Sequence, residues 1–444
     1  MLLILSLIGI TLSGQNNRIK KNNSLLQAMP AQANYVTGLE EQQPNSNSNS
    51  ELIEFRDTEL EINIGTTNYD LETNYSGCKR ISEDADGNIY ATWTMGFEAP
   101  PNYPDRGTGY NRYAAGNDAW GDTHLDRLEA DVRTGLTNHI ITNSGTEFIV
   151  SHVFTSGEYR LHTLRRETGE TDWTESDMPT NTPVGVLWPR AAVDGETVHV
   201  MAITTPTGGL GGEIYEGVNI HPLYYRSSDG GATWDVVDFI IPGLDSTFMK
   251  NLVTADCYYI DARDGVVAIG VFSQWNDIVV FKSLDGGDTW EKHTVFDFPL
   301  DNYEINEGYA PEDLPPFDTL NQPDTLAIFT SDNSGTIIID KVGTVHAFYG
   351  EMWVQDADTT DTGWTFYPGT SGLSYWNESF GNDSTMTIAD AVDLNGNDTL
   401  DIESIANIGT YFMSLTSMPT ASVDEDNRIY LTYSGVMEGI YRFE

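Results

Sequence analysis

Basic residues are scarce in this chain: its 444 residues carry 22 Lys and Arg against 67 Asp and Glu, a formal charge of −45. Phosphate binding needs a basic face, so nucleic acid is excluded as a partner. Cysteine is almost absent. Cys78 and Cys257 are the only two, so no disulfide framework organises the fold, and they are read as buried free thiols. The eight histidines show no His-x-x-x-His or similar spacing, which removes the usual zinc signatures. No arginine stands between Arg263 and Arg428. Long apolar runs are missing as well: past Leu2–Leu12 no segment could cross a membrane, and that run is itself too short to span one comfortably. Helical periodicity is hard to find anywhere beyond residue 50.

What is present suits a turn-rich all-β chain. There are 41 glycines, and the composition is 39% hydrophobic and 11% aromatic, enough to pack a large core. Residues 1–14 read as a signal peptide, an apolar stretch followed by Ser13-Gly14-Gln15. No Lys or Arg precedes that stretch, which points to a start upstream of Met1. Residues 15–52 are rich in Asn, Gln and Ser and read as a disordered leader. Secretion or display at the cell surface follows, and the acidic excess reads as a solvated coat.

Residues 53–444 repeat. Ser227-Ser228-Asp229-Gly230-Gly231-Ala232-Thr233-Trp234 and Ser283-Leu284-Asp285-Gly286-Gly287-Asp288-Thr289-Trp290 both read Ser-x-Asp-x-Gly-x-Thr-Trp. A tight turn needs positive φ, which glycine adopts at least cost. The Asp carboxylate can accept from the amides of its own turn, Ser and Thr can close the hairpin, and Trp can wedge between sheets. Alternating runs at Pro222–Arg226, Ile278–Lys282, Val236–Ile241 and Lys292–Phe296 flank the two copies, so each joins two strands. Decayed copies end at Trp120 and Trp173. The Trp spacings of 53, 61 and 56 residues suit a unit of four strands. A second pattern, a Gly, Asp or Asn turn followed by an alternating strand, recurs six times. It begins at Asp84, Asn143, Val193, Ala262, Asp340 and Val423, and is read as the inner strand of each unit.

These residues resemble the Asp box (BNR repeat) of the sialidase-like β-propeller superfamily, in the style of secreted and surface propellers of marine Bacteroidetes. The resemblance implies a six-bladed propeller of four-stranded antiparallel blades, with boxes on the blade periphery and a last blade left incomplete at residue 444. The structural box residues are then Ser227, Asp229, Gly231, Thr233, Trp234, Ser283, Asp285, Gly287, Thr289 and Trp290. It also implies a catalytic alternative. Sialidases clamp a substrate carboxylate with three arginines, a bidentate task, and use a Tyr nucleophile. Here Arg80, in Cys78-Lys79-Arg80-Ile81, lacks the expected proline and the aromatic before it. Arg190, in Trp188-Pro189-Arg190, is the other candidate. The later arginines fall in the long gap after Arg263.

The expected function is therefore non-catalytic: recognition or adhesion through an extracellular glycan or protein ligand, with Arg80, Arg190, Tyr258 and Tyr259 as candidate contacts. The rival is an exo-sialidase-type hydrolase acting on acidic glycans. Glu304, Glu307 and Glu351 are among many carboxylates that could face a channel, and no Ser-His-Asp set can be assembled from spacing. No cofactor is expected beyond structural calcium. Asp393, Asn395, Asn397 and Asp401 place oxygen ligands at alternate positions, although Gly396 comes two positions early for an EF-hand; the competing reading is a solvated Asx-rich hairpin.

Overall fold

The computed structural model describes residues 62–69, 77–98 and 103–438, with gaps at 70–76, 99–102, 125, 253–255, 319–321, 361–362, 398 and 403–411, plus the short stretches 20–21 and 28–31. The signal segment, most of the leader and the final residues lie outside the described residues.

The described chain is all-β apart from three single-turn 3-10 helices. Its sheets follow one another along the sequence. The first holds β1 (Ile81–Glu83), β2 (Ile89–Met95), β3 (Gly107–Ala114) and β4 (Ala119–Trp120). The second holds β5 (Thr134–Ile141), β6 (Glu147–Thr155), β7 (Glu158–Arg166) and β8 (Thr174–Asp177). The third holds β9 (Val186–Asp194), β10 (Thr197–Thr204), β11 (Pro222–Ser227) and β12 (Val236–Phe239). The fourth holds β13 (Tyr258–Arg263), β14 (Val266–Val271), β15 (Ile278–Ser283) and β16 (Glu291–Phe296). All four are antiparallel meanders in sequence order. The fifth is larger, built on β17 (Ile328–Ile339), β18 (Val345–Gln355), β19 (Trp364–Phe366), β20 (Leu373–Asn377) and β21 (Met386–Ala389). The sixth pairs β22 (Thr416–Val423) with β23 (Ile429–Gly435).

The first strand of each sheet packs against the first strand of the next: β5 on β9, β9 on β13, β13 on β17, β17 on β22. This is the radial arrangement of propeller blades. It corrects the reading of the Asp-Gly patterned strands as innermost. Those are the second strands, and the axis is lined by the strand that precedes each pattern.

Alternation makes the core. Side chains of one strand face opposite sides of its sheet, so apolar residues on both faces build a layer between each pair of neighbours. Ile140, Phe148 and Val150 meet Val198 and Val200 between the second and third sheets. Leu187 and Tyr224 meet Tyr258, Ile260 and Val267 between the third and fourth. Tyr259, Ala268 and Val280 meet Ile337, Ala347 and Trp376 between the fourth and fifth. Two outer faces are uncovered: Ile81 on β1 is 72% exposed and Tyr430 on β23 52%.

Part of the expected disordered leader is structured. Met29–Ala31 pairs antiparallel with β19, because Met29 can bury its side chain against the Trp275–Trp364 cluster. Lys20–Lys21 pairs with Thr399–Leu400.

The two motif copies make the same bonds. Asp229 Oδ1 accepts from Thr233 N (2.7 Å) and its Oδ2 from Thr233 Oγ1 (2.6 Å), while Ser227 Oγ accepts from Gly231 N (2.9 Å). Asp285, Thr289, Ser283 and Gly287 repeat the set at 2.8, 2.7 and 2.8 Å. These donors hold both Asp carboxyls below their ordinary range, Asp285 at about 2. Each turn then docks on the preceding sheet. Trp234 meets Phe148, and Trp290 meets Tyr224 edge-on at 5.3 Å between ring centroids.

A repeat that sequence reading missed completes this docking. The residue just before each motif is a cation that reaches the following sheet. Arg165 Nε donates to Gly230 O (3.1 Å), Arg226 Nη1 to Gly286 O (2.9 Å) and Lys282 Nζ to Gly343 O (2.7 Å). The signal was available: a basic residue stands at one fixed offset, eight positions ahead of Trp173, Trp234 and Trp290, in a chain with few basic residues.

Candidate functional site: the axial polar cluster

The two ends of the sheets differ. At one end lie the tight first-to-second turns and the motif turns, tied by Gly230 N to Glu196 O and Gly286 N to Gly265 O. At the other end lie the long second-to-third loops, such as 205–221, and the linkers between sheets, such as 297–318. Long loops on a rigid scaffold are where binding residues concentrate.

Near this loop-rich end the axial strands are distorted in a repeated way. Register shifts fall between Gly135 and Asn138 on β5, Leu187 and Arg190 on β9, Ser331 and Gly335 on β17, and Ser417 and Thr420 on β22. Each bulge holds a non-glycine residue at positive φ: Leu136 (54°), Trp188 (52°), Asn333 (65°) and Met418 (52°). Such conformations cost on the order of 1–3 kcal/mol each and persist only where the surroundings enforce them. Bulges re-aim side chains and gather near functional sites.

Here they turn polar groups onto the axis. Arg190 Nη2 pairs with Asp256 Oδ1 at 2.6 Å, and its Nη1 lies 3.3 Å from Cys78 Sγ and 2.8 Å from Pro189 O. The guanidinium also sits 5.2 Å from the Tyr258 ring centroid, and the Tyr258 hydroxyl donates to Trp188 O. Gly77 leaves the room: a Cβ there would stand 2.7 Å from Arg190 Nε. Arg190 is 1% exposed and Asp256 4%. Burial pushes Asp256 up to about 7 against the pull of Arg190 and Arg80. Across the axis Lys79 Nζ meets Asp261 Oδ1 at 3.0 Å, and Asp261 Oδ2 accepts from Ile339 N at 2.9 Å. Asn138 accepts from Lys79 N and donates to Pro189 O.

A second group ties the fifth and sixth sheets. Buried Asp332 accepts from Ser334 N and Oγ, from Ser414 N and Oγ, and from Ser417 Oγ. Glu351 Oε1 accepts from Ser374 Oγ (2.8 Å) and Thr387 Oγ1 (2.6 Å).

The candidate contacts therefore divide. Arg190, Tyr258 and Tyr259 are brought to the axis but buried, Arg190 within an ion pair. Arg80 is half-buried and acts on Asp256 from the first sheet. Glu351 is buried and hydrogen-bonded. Cys78 and Cys257 are free thiols, both buried. The axial acidic residues Asp256 and Asp332 were missed by sequence reading, since nothing local separates them from the other acidic residues.

In the acidic loop, Asp393 Oδ1 accepts from Asn395 N (3.1 Å) and Gly396 N (2.8 Å), and Asn395 Nδ2 donates to Glu438 Oε1 (2.5 Å). Asn395 also accepts from Asn397 N, and Asp401 is exposed. Asp398 lies outside the described residues. Among the described residues no group of three or more His, Cys, Asp or Glu is placed to hold a metal ion, and no helix is long and apolar enough to cross a membrane.

No protein-family model matches the chain, and no curated protein sequence matches it. Solved structures do. A Trypanosoma rangeli sialidase in complex with the inhibitor DANA aligns at TM-score 0.39 and 11% identity, over 81% of this chain and 53% of its own. A protein of unknown function from Dyadobacter fermentans aligns at 0.39 and 11%, over 82% and 92%. A GH43_1 enzyme from Xanthomonas citri aligns at 0.34 and 9%, over 82% and 91%. The chain thus spans about half the length of the sialidase it matches.

Proposed function

We propose that this chain is a secreted or surface-displayed six-bladed propeller that recognises glycans through its loop-rich face without cleaving glycosidic bonds. The observation that carries this reading is the state of Arg190. A carboxylate clamp needs a guanidinium that a ligand can reach. Arg190 is buried and already paired with Asp256 at 2.6 Å, and breaking a buried pair costs about 3–5 kcal/mol. The fourth and fifth sheets contribute no arginine beyond Arg263, so they supply no second arm.

The test sets hydrolysis of a fluorogenic sialoside beside binding of neutral and acidic glycans on an array. Binding without turnover supports the reading. Turnover that disappears in both Arg190→Ala and Arg80→Ala, with the fold retained by circular dichroism, overturns it.

A further inference from the structure

Far from the loop-rich face, three residues that no sequence pattern connects meet between the first and second sheets. Ser82 Oγ is hydrogen-bonded to His139 Nδ1. On the far side of the ring, His139 Nε2 lies 3.2 Å from Glu147 Oε2. Glu147 is in turn held: its Oε1 accepts from Arg166 Nε (3.1 Å) and Nη2 (2.6 Å), and its Oε2 from the Tyr110 hydroxyl (2.8 Å). The imidazole is buried and stacked on Tyr90, ring centroids 5.3 Å apart and planes 15° apart. Ser82 is half-buried.

Burial raises the Glu147 carboxyl, but His139 and Arg166 outweigh it and hold the group below the ordinary carboxylate range. An ionised carboxylate only accepts, so the imidazole proton sits on Nε2 and points at Glu147. In the neutral ring Nδ1 is then the acceptor, and the Ser82 hydroxyl donates to it. A nucleophile on a base that is oriented by a third group is the logic of serine hydrolases, recognised by roles and not by chain order. Here the two ring nitrogens exchange places relative to the familiar protease arrangement. His199 offers a contrast: its Nδ1 bonds the Tyr224 hydroxyl, which is no comparable nucleophile.

Two backbone N–H groups that flank the serine are not used by β2. Thr92 N donates to Arg80 O and Asp84 N to Asn88 O, and Ser82 pairs with Tyr90 between them. In an antiparallel ladder hydrogen-bonded pairs alternate along the strand. The N–H groups of Ile81 and Glu83 therefore point away from β2.

We infer that Ser82, His139 and Glu147 form an acyl-transfer site that hydrolyses small, uncharged carboxylic esters. Ser82 Oγ attacks the acyl carbon while its proton passes to His139 Nδ1, and the tetrahedral oxyanion is met by the N–H groups of Ile81 and Glu83. Collapse expels the alkoxide, which takes the proton back from Nδ1, leaving an acyl-serine and a free alcohol. Water then attacks the acyl-serine with His139 as base, releasing the acid and restoring Ser82. Glu147 is a positioning residue. The half-buried hydroxyl restricts the acyl group to a small one, and the charge of −45 disfavours anionic esters. The site lies at the tight-turn end and does not depend on the recognition reading.

The experiment uses the full chain and a fluorophosphonate probe, which phosphonylates an activated serine with loss of fluoride. The expected result is one adduct, mapped by mass spectrometry to the peptide holding Ser82, together with turnover of p-nitrophenyl acetate. Ser82→Ala abolishes both. His139→Gln lowers the labelling rate by roughly 100-fold or more, as loss of a general base does. Glu147→Gln shifts the pH profile of labelling, which a structural role would not do. Labelling of the wild-type chain decides the matter even where variants misfold: a folded wild-type protein with no adduct at Ser82 from mildly acidic to mildly alkaline pH overturns the proposal, as does an adduct rate unchanged by Glu147→Gln.

Discussion

Replacing Arg226 by alanine severs the third sheet from the fourth at one identifiable point. Its side chain is 18% exposed and makes three contacts: Nε with Asp235 Oδ2 at 2.8 Å, and Nη1 with Gly286 O at 2.9 Å and Asp288 Oδ1 at 2.7 Å. The carboxylate of Asp288 is 64% exposed and that of Asp235 39%, so each ion pair is worth at most about 1 kcal/mol. The carbonyl contact differs. A charged donor on a partly buried acceptor contributes about 1.5–3 kcal/mol, and its loss strands the acceptor. Together the substitution should cost about 2–3 kcal/mol. Arg226→Lys should retain the Gly286 contact and lose the fork, at roughly 1 kcal/mol. The assay is urea denaturation, read as a shift of midpoint at unchanged slope. A cycle with Asp288→Ala separates the contributions: coupling below about 1 kcal/mol is expected, since the carbonyl carries most of the effect. A loss under 0.5 kcal/mol in Arg226→Ala, or one that vanishes when Asp288 is already removed, would refute the carbonyl-latch reasoning.

Three further outcomes follow from the same geometry. Gly287→Ala should destabilise by at least ~1–3 kcal/mol in thermal melts, because φ there is 94° and the new Cβ would lie 2.2 Å from the Tyr224 hydroxyl oxygen. Asp332→Asn should cost about 1–3 kcal/mol, since an amide offers one oxygen where five donors converge and turns an N–H toward hydroxyls; limited proteolysis should then cut first in the sixth sheet. Glu147, depressed below its ordinary value of 4.5, contributes stability that is present above that value and lost as pH falls through the folded-state value. The urea midpoint should therefore drop below pH 4.5 in the wild type, and Glu147→Gln should remove part of that drop.

The repeat and the all-β class were legible along the chain because their causes are local. A Ser-x-Asp-x-Gly-x-Thr-Trp turn satisfies its own donors within eight residues, as Asp229 and Asp285 do. Alternation within a strand declares two buried faces whichever neighbours cover them. The rank of each strand was not local: the Asp-Gly patterned strands read as innermost are second, because packing order depends on which strand meets the adjoining sheet. Tyr258 and Tyr259 could be named from sequence, but not placed. Their burial depends on the third and fifth sheets closing over them.

The sites belong to the tertiary structure. Arg190 and Asp256 are 66 residues apart, and Ser82 and His139 57. No periodicity links such positions; they meet because successive sheets converge on one axis. Likewise a positive φ at Trp188 or Met418 has no residue signature, since the bulge is imposed by neighbouring strands. Hydrogen bonds inside a turn determined the repeat and could be read in sequence. Contacts between sheets decided the chemistry, because pairing groups across folded layers requires the layers first to be stacked.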